Sequence, residues 1–273
     1  MAALNAGKHL YCEWPLAATT EQAQQMRDLA LRKGGRHMVG LQARGARAFN
    51  RLRDLVAEGY VGKVLSCTMI VSTPTWGTEF THDWAYMADR SNGNTLLTSP
   101  GGHSIDALCF CLGEFKELSS VVANQRQRVK IVETGETIQM TSPDQVLLSG
   151  VLLSGVLQSG AVASVHLKGG TANGTGFLFE IHGTEGDLAV VPADPRQAPY
   201  IQVSEFTVRG AQRANRWRIS RYRRAIAGFH PRSRRGSLST LRSCTCGWLK
   251  AFAKEGPSAQ TSMWPSNATS CLK

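Results

Sequence analysis

The chain has 273 residues, of which 42% are apolar, enough to form a hydrophobic core and to exclude intrinsic disorder for most of its length. It has no apolar run of membrane-spanning length and no signal-peptide pattern, so neither a membrane protein nor a secreted one is expected. Seven cysteines, an odd number, favour a reducing compartment over a disulfide framework. The expected location is the cytoplasm, or the nucleus if the protein is a transcriptional regulator.

The net charge of +11 would ordinarily indicate a nucleic-acid partner or an anionic surface. The charge is unevenly distributed, however. Residues 1–208 contain 17 lysines and arginines and 19 acidic residues. Residues 209–273 contain 14 lysines and arginines and one acidic residue. The basicity therefore belongs to the tail, and nucleic acid is not an expected partner of the main body.

The N-terminal part of the chain alternates strand and helix. Apolar residues at 9–12 and 37–41 read as buried strands, and a helix between them begins at Thr19 or Thr20. This βαβ order is typical of a parallel sheet. No G-x-G-x-x-G pattern follows an early strand. We therefore expect residues 1–45 to be the C-terminal part of a Rossmann domain, truncated at its N-terminal side.

Residues 46–208 read as an α+β domain. Helices are predicted at 48–58 and 105–111, and residues 183–186 form a plausible hairpin turn. The predicted strands are 64–72, 119–124, 145–157, 161–167, 177–182, 187–191 and 201–206. The overall prediction is an α/β plus α+β chain, a Rossmann remnant followed by a domain with a large, mainly antiparallel sheet.

A tandem repeat lies inside this predicted sheet, because residues 147–151 and 152–156 both read LLSGV. Five is an odd number, so an inserted copy would turn every later side chain to the opposite face unless a bulge absorbs the shift. The alternative interpretation is a naturally long strand.

The basic tail, residues 209–273, has no helical or strand period. One hypothesis is a nucleic-acid-binding arm. The second is translation out of frame, because back-translating residues 237–273 one frame over gives a sequence with helix formers and apolar spacing. Under the second hypothesis the tail is irregular and disordered.

Several motifs resemble the Gfo/Idh/MocA family of NAD(P)-dependent oxidoreductases. Residues 6–17 read AGKHLYCEWPLA and resemble the family's strand and turn ending in E-K-P, and residues 101–106, GGHSID, resemble its G-x-H-x-x-D helix start. Further matching segments are LQAR at 41–44, SPDQ at 142–145 and EIHGTEGDL at 180–188. The resemblance covers roughly residues 2–208. The subgroup is similar to relatives of the fungal galactose-pathway transcriptional repressor, which also carry E-W-P.

The resemblance implies that NAD or NADP lies on the Rossmann domain and a small sugar-like ligand between the nicotinamide and the sheet. The frameshifted reading of the tail also resembles the family's C-terminal helices. The cofactor-binding residues implied are Glu13, Trp14, Pro15, Gln42 and Arg44. Residues 46–208 correspond to the family's substrate and dimerisation domain, which implies a homodimer through the sheet. Without the glycine-rich turn, little binding of the dinucleotide by this chain is expected.

The family's catalytic set is the lysine of E-K-P with an aspartate and a histidine four residues apart. Hydride leaves a carbinol carbon only as the hydroxyl proton is removed, so a base is needed and a cation stabilises the alkoxide. His103 stands at the histidine position, but the lysine position is Trp14 and the aspartate position is Ser99. Ser99 and Asp106 are assigned to the substrate pocket. The alternative for His103 and Asp106 is a capping role at a helix start.

Three functions remain open at this point. The first is a sugar or polyol oxidoreductase, impaired or inactive in this form, and the second is a non-catalytic, nucleotide-sensing regulator with a protein partner. The third is a non-functional gene fragment. No metal site is predicted, since Cys109 and Cys111 read as core thiols without a fourth ligand at suitable spacing.

Overall fold

The structure, a computed structural model, describes residues 1–152, 160–170, 174–194, 200–212 and 218–220. It contains a parallel pair of strands, an eight-stranded sheet and a three-stranded sheet. Within the described ranges, no helix is both long and apolar enough to cross a membrane.

The N-terminal unit has the predicted βαβ order. After a short helix α1 (Ala2–Asn5), strand β1 (Leu10–Glu13) pairs in parallel with β2 (His37–Gly40) through helix α2 (Thr20–Lys33). Thr19 is the cap of α2, because its hydroxyl accepts a hydrogen bond from the Gln22 backbone N–H at 3.3 Å. Leu4, Leu29 and Ala30 form the core of this unit.

Two helices pack beside the eight-stranded sheet. Helix α3 (Arg47–Ala57) and helix α4 (Gly102–Leu112) confirm the two helical predictions, and a π-helical turn (Leu97–Gly101) precedes α4. Phe49 and Leu52 of α3 are completely buried, as their helical spacing predicts. The second unit therefore has its main core between these helices and one face of the sheet.

The large sheet has the strand order β13-β12-β11-β10-β3-β9-β8-β5. Its strands are β3 (Val64–Thr73), β5 (Phe115–Ala123), β8 (Gln145–Leu152), β9 (Val162–Gly169), β10 (Phe177–Gly183), β11 (Gly186–Pro192), β12 (Phe206–Gln212) and β13 (Arg218–Ser220). Within this large sheet, the β3–β9 pairing is the only parallel one among the described strands. The prediction of a large, mainly antiparallel sheet is confirmed.

The three-stranded sheet is a feature that the sequence did not reveal. It consists of β4 (Glu79–Phe80), β6 (Arg128–Ile131) and β7 (Thr137–Gln139). These strands are too short for an alternation of apolar and polar residues to stand out. The sheet nevertheless buries Phe80 and Ile131 in the main core.

The last predicted strand was wrong. Residues 201–206 alternate apolar and polar side chains, but the Tyr200 carbonyl accepts from the N–H groups of Val203 and Ser204, which makes a turn. Val203 is accordingly exposed. Strand β12 begins only at Phe206 and continues to Gln212, past residue 209, where the basic tail was expected to begin.

Most of the predicted tail, from residue 221 onward, lies outside the described residues. The first LLSGV copy lies within β8, where Ser149 pairs with Ser119 of β5 and Ser164 of β9. The second copy lies outside the described residues except for Leu152. The effect of the repeat on strand register thus stays a prediction.

Candidate functional site

The candidate site lies where the end of β1 and the turn after β2 meet the start of α4. Both strands of the parallel pair end at the same edge, which is where α/β sheets collect ligands. Glu13 and Trp14 follow from β1, and Gln42 and Arg44 lie in the 3₁₀ turn (Gln42–Gly45) after β2.

Trp14 connects this edge to the approach to α4. Its indole N–H donates to the Thr98 carbonyl at 2.6 Å. Its ring also lies against Gly102, at a place where a Cβ on residue 102 would collide with indole Nε1. The position at which the sequence resemblance implies a lysine is thus filled by a packed indole whose only hydrogen-bond donor is already used.

Glu13 accepts two hydrogen bonds at the edge of the parallel pair. The Tyr11 hydroxyl donates to Oε1 and the Gln42 amide donates to Oε2, both at 2.6 Å. The hydrogen bond to Glu13 is the main cause that raises the pKa of Tyr11. Gly40 is needed here, since a Cβ on it would collide with the Glu13 carboxylate. Gln42 Oε1 is buried without a partner among the described residues.

Arg44 binds Asp106 of α4 through two nitrogens. Nε donates to Oδ2 at 2.9 Å and Nη2 donates to Oδ1 at 2.6 Å. The guanidinium also lies over the Phe110 ring, 5.5 Å from its centroid. The Asp106 side chain is almost fully buried. This carboxylate therefore holds Arg44 against α4, which differs from the capping role considered from sequence.

His103 lies in the first turn of α4 and is buried, with Nδ1 lacking a partner among the described residues. Burial lowers the pKa of His103, and the negative charges of Asp106 and Glu13 oppose that shift. The imidazole is thus kept neutral, the form in which histidine accepts a proton.

Ser99 lies one turn before His103, within the π-helical turn, and its backbone N–H donates to the Thr95 carbonyl at 2.9 Å. It is half-buried and uncharged, so this position provides no carboxylate. Pro15 is half-buried beside Trp14. The structure thus places all of the predicted site residues on the two facing segments, and links them directly through Trp14–Thr98 and Arg44–Asp106.

Sequence reasoning missed three residues of this region. Tyr11 could have been found, because it is two residues before Glu13 on the same face of β1. Thr98 acts through its carbonyl and its hydroxyl, which bonds the Gly93 carbonyl at 2.6 Å, and no residue pattern signals this. The requirement for glycine at 102 becomes clear only when the Trp14 ring is in place.

Comparison with known families agrees with these two segments. The model described as "Gal80p, C-terminal domain" matches residues 48–191. The model described as "Oxidoreductase family, NAD-binding Rossmann fold" matches residues 1–41.

Two relatives and one solved structure illustrate the similarity. The chain is 34% identical over 118 residues to dehydrogenase aclE of Aspergillus oryzae, which is 43% of this chain and 32% of that protein. It is 28% identical over 212 residues to the galactose/lactose metabolism regulatory protein GAL80 of Kluyveromyces lactis, which is 74% of this chain and 45% of that protein. Levoglucosan dehydrogenase in complex with NADH and L-sorbose superimposes with a TM-score of 0.65 at 25% identity, over 80% of this chain and 56% of that one.

The chain therefore spans about a third to a half of the length of these curated relatives. The relatives include both enzymes and a regulator, so the likeness identifies a family and not one activity. The chain belongs to the family of the Gal80p C-terminal domain, within the Gfo/Idh/MocA oxidoreductases.

Proposed function

We propose that this site belongs to a nucleotide-sensing regulator, which takes the nicotinamide end of a dinucleotide and a small sugar-like ligand without transferring hydride. The single observation that carries the proposal is the Trp14 indole, bonded to the Thr98 carbonyl in the place of the family's catalytic lysine. An indole has no charge with which to stabilise an alkoxide.

The other groups of the site support the same conclusion. Arg44 is the nearby cation, but both of its bonding nitrogens are directed to Asp106. Asp106 in turn is committed to Arg44 and is poorly placed to orient a substrate as well. Ser99 offers a hydroxyl where the family has a carboxylate. The site thus retains polar groups for binding while lacking two of the three groups of the family's hydride chemistry.

The residues at the edge of β1 and β2 fit the nicotinamide end of the dinucleotide. Gln42 Oε1 is buried and unpartnered among the described residues, so it can accept a hydrogen bond from a carboxamide. Trp14, next to Glu13 in the chain, adds an aromatic ring to this edge, and Glu13 fixes the Gln42 side chain. When bound, the dinucleotide supplies a hydride donor or acceptor. These 273 residues contain no glycine-rich turn to hold its pyrophosphate.

A second candidate function is a sugar or polyol oxidoreductase, and His103 is the observation that favours it. A buried, neutral imidazole with an unpartnered Nδ1 is suited to accept the proton of a substrate hydroxyl. In that case His103 is the catalytic base, and a group other than the family's lysine must stabilise the charge of the substrate alkoxide.

The two functions separate in one assay at NAD⁺ concentrations at which calorimetry detects binding. The purified chain is incubated with a high concentration of NAD⁺ and a panel of sugars and polyols, and NADH formation is followed by absorbance. Dinucleotide binding is measured in parallel by calorimetry, and levoglucosan dehydrogenase with levoglucosan is the positive control. We expect no turnover from this chain. Turnover that disappears in His103→Asn would instead establish the oxidoreductase.

A Trp14→Lys/Ser99→Asp variant provides the matched gain-of-function arm. If Trp14 and Ser99 are the reason that the parent chain transfers no hydride, this variant should show turnover at NAD⁺ concentrations at which it binds the dinucleotide. Turnover by the parent chain equal to that of the variant would overturn the regulatory proposal.

A further inference from the structure

Two exposed aromatic rings lie side by side on the 3₁₀ turn (His82–Ala88) that follows β4. Trp84 and Tyr86 are 54% and 45% exposed, and their ring centroids lie 6.4 Å apart with an angle of 32° between the planes. We call this pair the aromatic platform. Two large apolar rings exposed together are unusual on a monomer surface and mark a binding surface.

The aromatic platform is joined to the candidate site through one loop, residues 93–98. Asn94 at its start donates from Nδ2 to the Tyr86 hydroxyl at 3.0 Å. Thr98 at its end bonds the Gly93 carbonyl through its hydroxyl and accepts from Trp14 through its carbonyl, each at 2.6 Å. The same short loop therefore bonds to both the platform and the Trp14 indole.

The backbone beneath the rings is also fixed. The Tyr86 carbonyl accepts from Asn92 Nδ2 at 3.0 Å and from the Asp89 N–H at 3.2 Å. The Asp89 side chain in turn accepts from the Ser91 N–H at 2.9 Å. Because these bonds order the turn in advance, a ligand that binds there immobilises little of the protein.

The polar groups around the rings suit a sugar. The Tyr86 hydroxyl accepts from Asn94, which leaves its own hydrogen for a ligand oxygen. Asn94 Oδ1 is buried without a partner among the described residues and can accept from a hydroxyl. Asp83, the chain neighbour of Trp84, is almost fully exposed and adds a carboxylate acceptor. Weakly positive C–H groups of a pyranose face pack against the negative faces of aromatic rings, while its hydroxyls need such donors and acceptors.

We propose that the aromatic platform is a carbohydrate subsite that stacks the second ring of a disaccharide or glycoside. The ring at the Trp14 side is the sugar-like ligand of the proposed function, on which the assignment of ligand class rests. A purely apolar partner, such as a hydrophobic protein surface, would leave the Tyr86 hydroxyl hydrogen and Asn94 Oδ1 without partners. The flanking acceptors therefore favour a sugar.

Calorimetric titration of the full chain with glucose, cellobiose and lactose, without dinucleotide, tests this subsite. We expect the disaccharides to bind more tightly than glucose, and Trp84→Ala or Tyr86→Ala to weaken disaccharide binding about tenfold with little effect on glucose. Trp84→Phe should retain most of the binding. Val121→Ala, an equally exposed residue of β5 on the large sheet, is the matched control and should change nothing.

Several outcomes would overturn the subsite. These are disaccharides that bind no better than glucose, binding unaffected by Trp84→Ala, or no sugar binding at all. Self-association lost in Trp84→Ala, with sugar binding unchanged, would make the platform a protein contact instead. Glucose binding reports on the sugar-like ligand of the proposed function, and the gain of a disaccharide over glucose reports on the platform, so the two results can fail independently. Circular dichroism verifies that the exposed substitutions leave the fold intact.

Discussion

Arg44 holds Asp106 by two hydrogen bonds, Nε to Oδ2 at 2.9 Å and Nη2 to Oδ1 at 2.6 Å, across the boundary between the N-terminal unit and α4. The paired groups lie between a turn after β2 and a helix of the second unit. The ion pair thus couples the edge that would hold the dinucleotide to the helix that carries His103.

Replacing Arg44 by alanine should destabilise the protein by about 2–3 kcal/mol, because a nearly buried carboxylate loses its counter-charge. Urea unfolding measures the change, and a double-mutant cycle with Asp106→Asn should show a coupling of about 1–2 kcal/mol. Glu58→Ala, which removes a 3.4 Å pair between Arg51 and an exposed carboxylate, is the control and should cost no more than about 0.5 kcal/mol. Equal costs for Arg44→Ala and Glu58→Ala would contradict the burial of Asp106.

The contact between Trp14 and Gly102 predicts that Gly102→Ala is destabilising by about 1–3 kcal/mol, because the new methyl group collides with the indole. Trp14→Phe keeps a ring but loses the bond to Thr98, with an expected cost of about 1 kcal/mol. Thermal or urea unfolding gives both values. Gly45→Ala, where the new Cβ meets no atom within 4 Å, should lie within about 0.5 kcal/mol of the parent.

The buried, neutral His103 predicts a pH dependence of stability. Its pKa in the folded chain lies below the ordinary 6.5, so the unfolded chain binds the proton more readily. The contribution of neutral His103 to the free energy of unfolding is fully present above pH 6.5. It is lost as the pH falls toward the pKa of His103 in the folded chain. Unfolding curves between neutral and mildly acidic pH should therefore show falling stability.

His103→Asn should flatten that profile. His166, whose pKa burial also lowers but which is only half-buried on β9, is the matched control. His166→Asn should flatten the profile less than His103→Asn does. A profile that does not change in His103→Asn would mean that folding does not lower the pKa of His103.

Dinucleotide binding by these 273 residues should be negligible, because they contain no G-x-G-x-x-G turn whose backbone N–H groups could cradle the pyrophosphate. Calorimetric titration with NADH and NADPH measures it directly. A dissociation constant in the micromolar range would show that the edge of β1 and β2 suffices without that turn.

The thiols should differ strongly in reactivity toward iodoacetamide. Burial raises the pKa of Cys67 to about 12 and also raises that of the fully buried Cys111, whereas Cys12 is half-buried on β1. Mass spectrometry after brief labelling of the native chain should find Cys12 modified well before Cys67 and Cys111. In denaturant the three should react alike, and rapid native labelling of Cys111 would contradict its place in the core.

Local sequence signals predicted much of the fold. The Thr19 cap and the buried face of Phe49 and Leu52 each depend on neighbours a few residues away. The pairing of Trp14 with Thr98 joins residues 84 positions apart, and no periodicity encodes it. Motif resemblance predicted which residues gather at the site. Their contacts depend on tertiary packing, so only the structure shows that Asp106 binds Arg44.

Strand β3 has a consequence for how the protein is made. It lies in the middle of the large sheet, but both of its neighbours, β9 and β10, come much later in the chain: Thr68 pairs with Ser164 on one side and Glu180 on the other. Closing loops of this length is entropically costly, so folding should be slow. During synthesis β3 emerges from the ribosome without a partner strand, and its backbone stays unpaired until β9 and β10 have been translated.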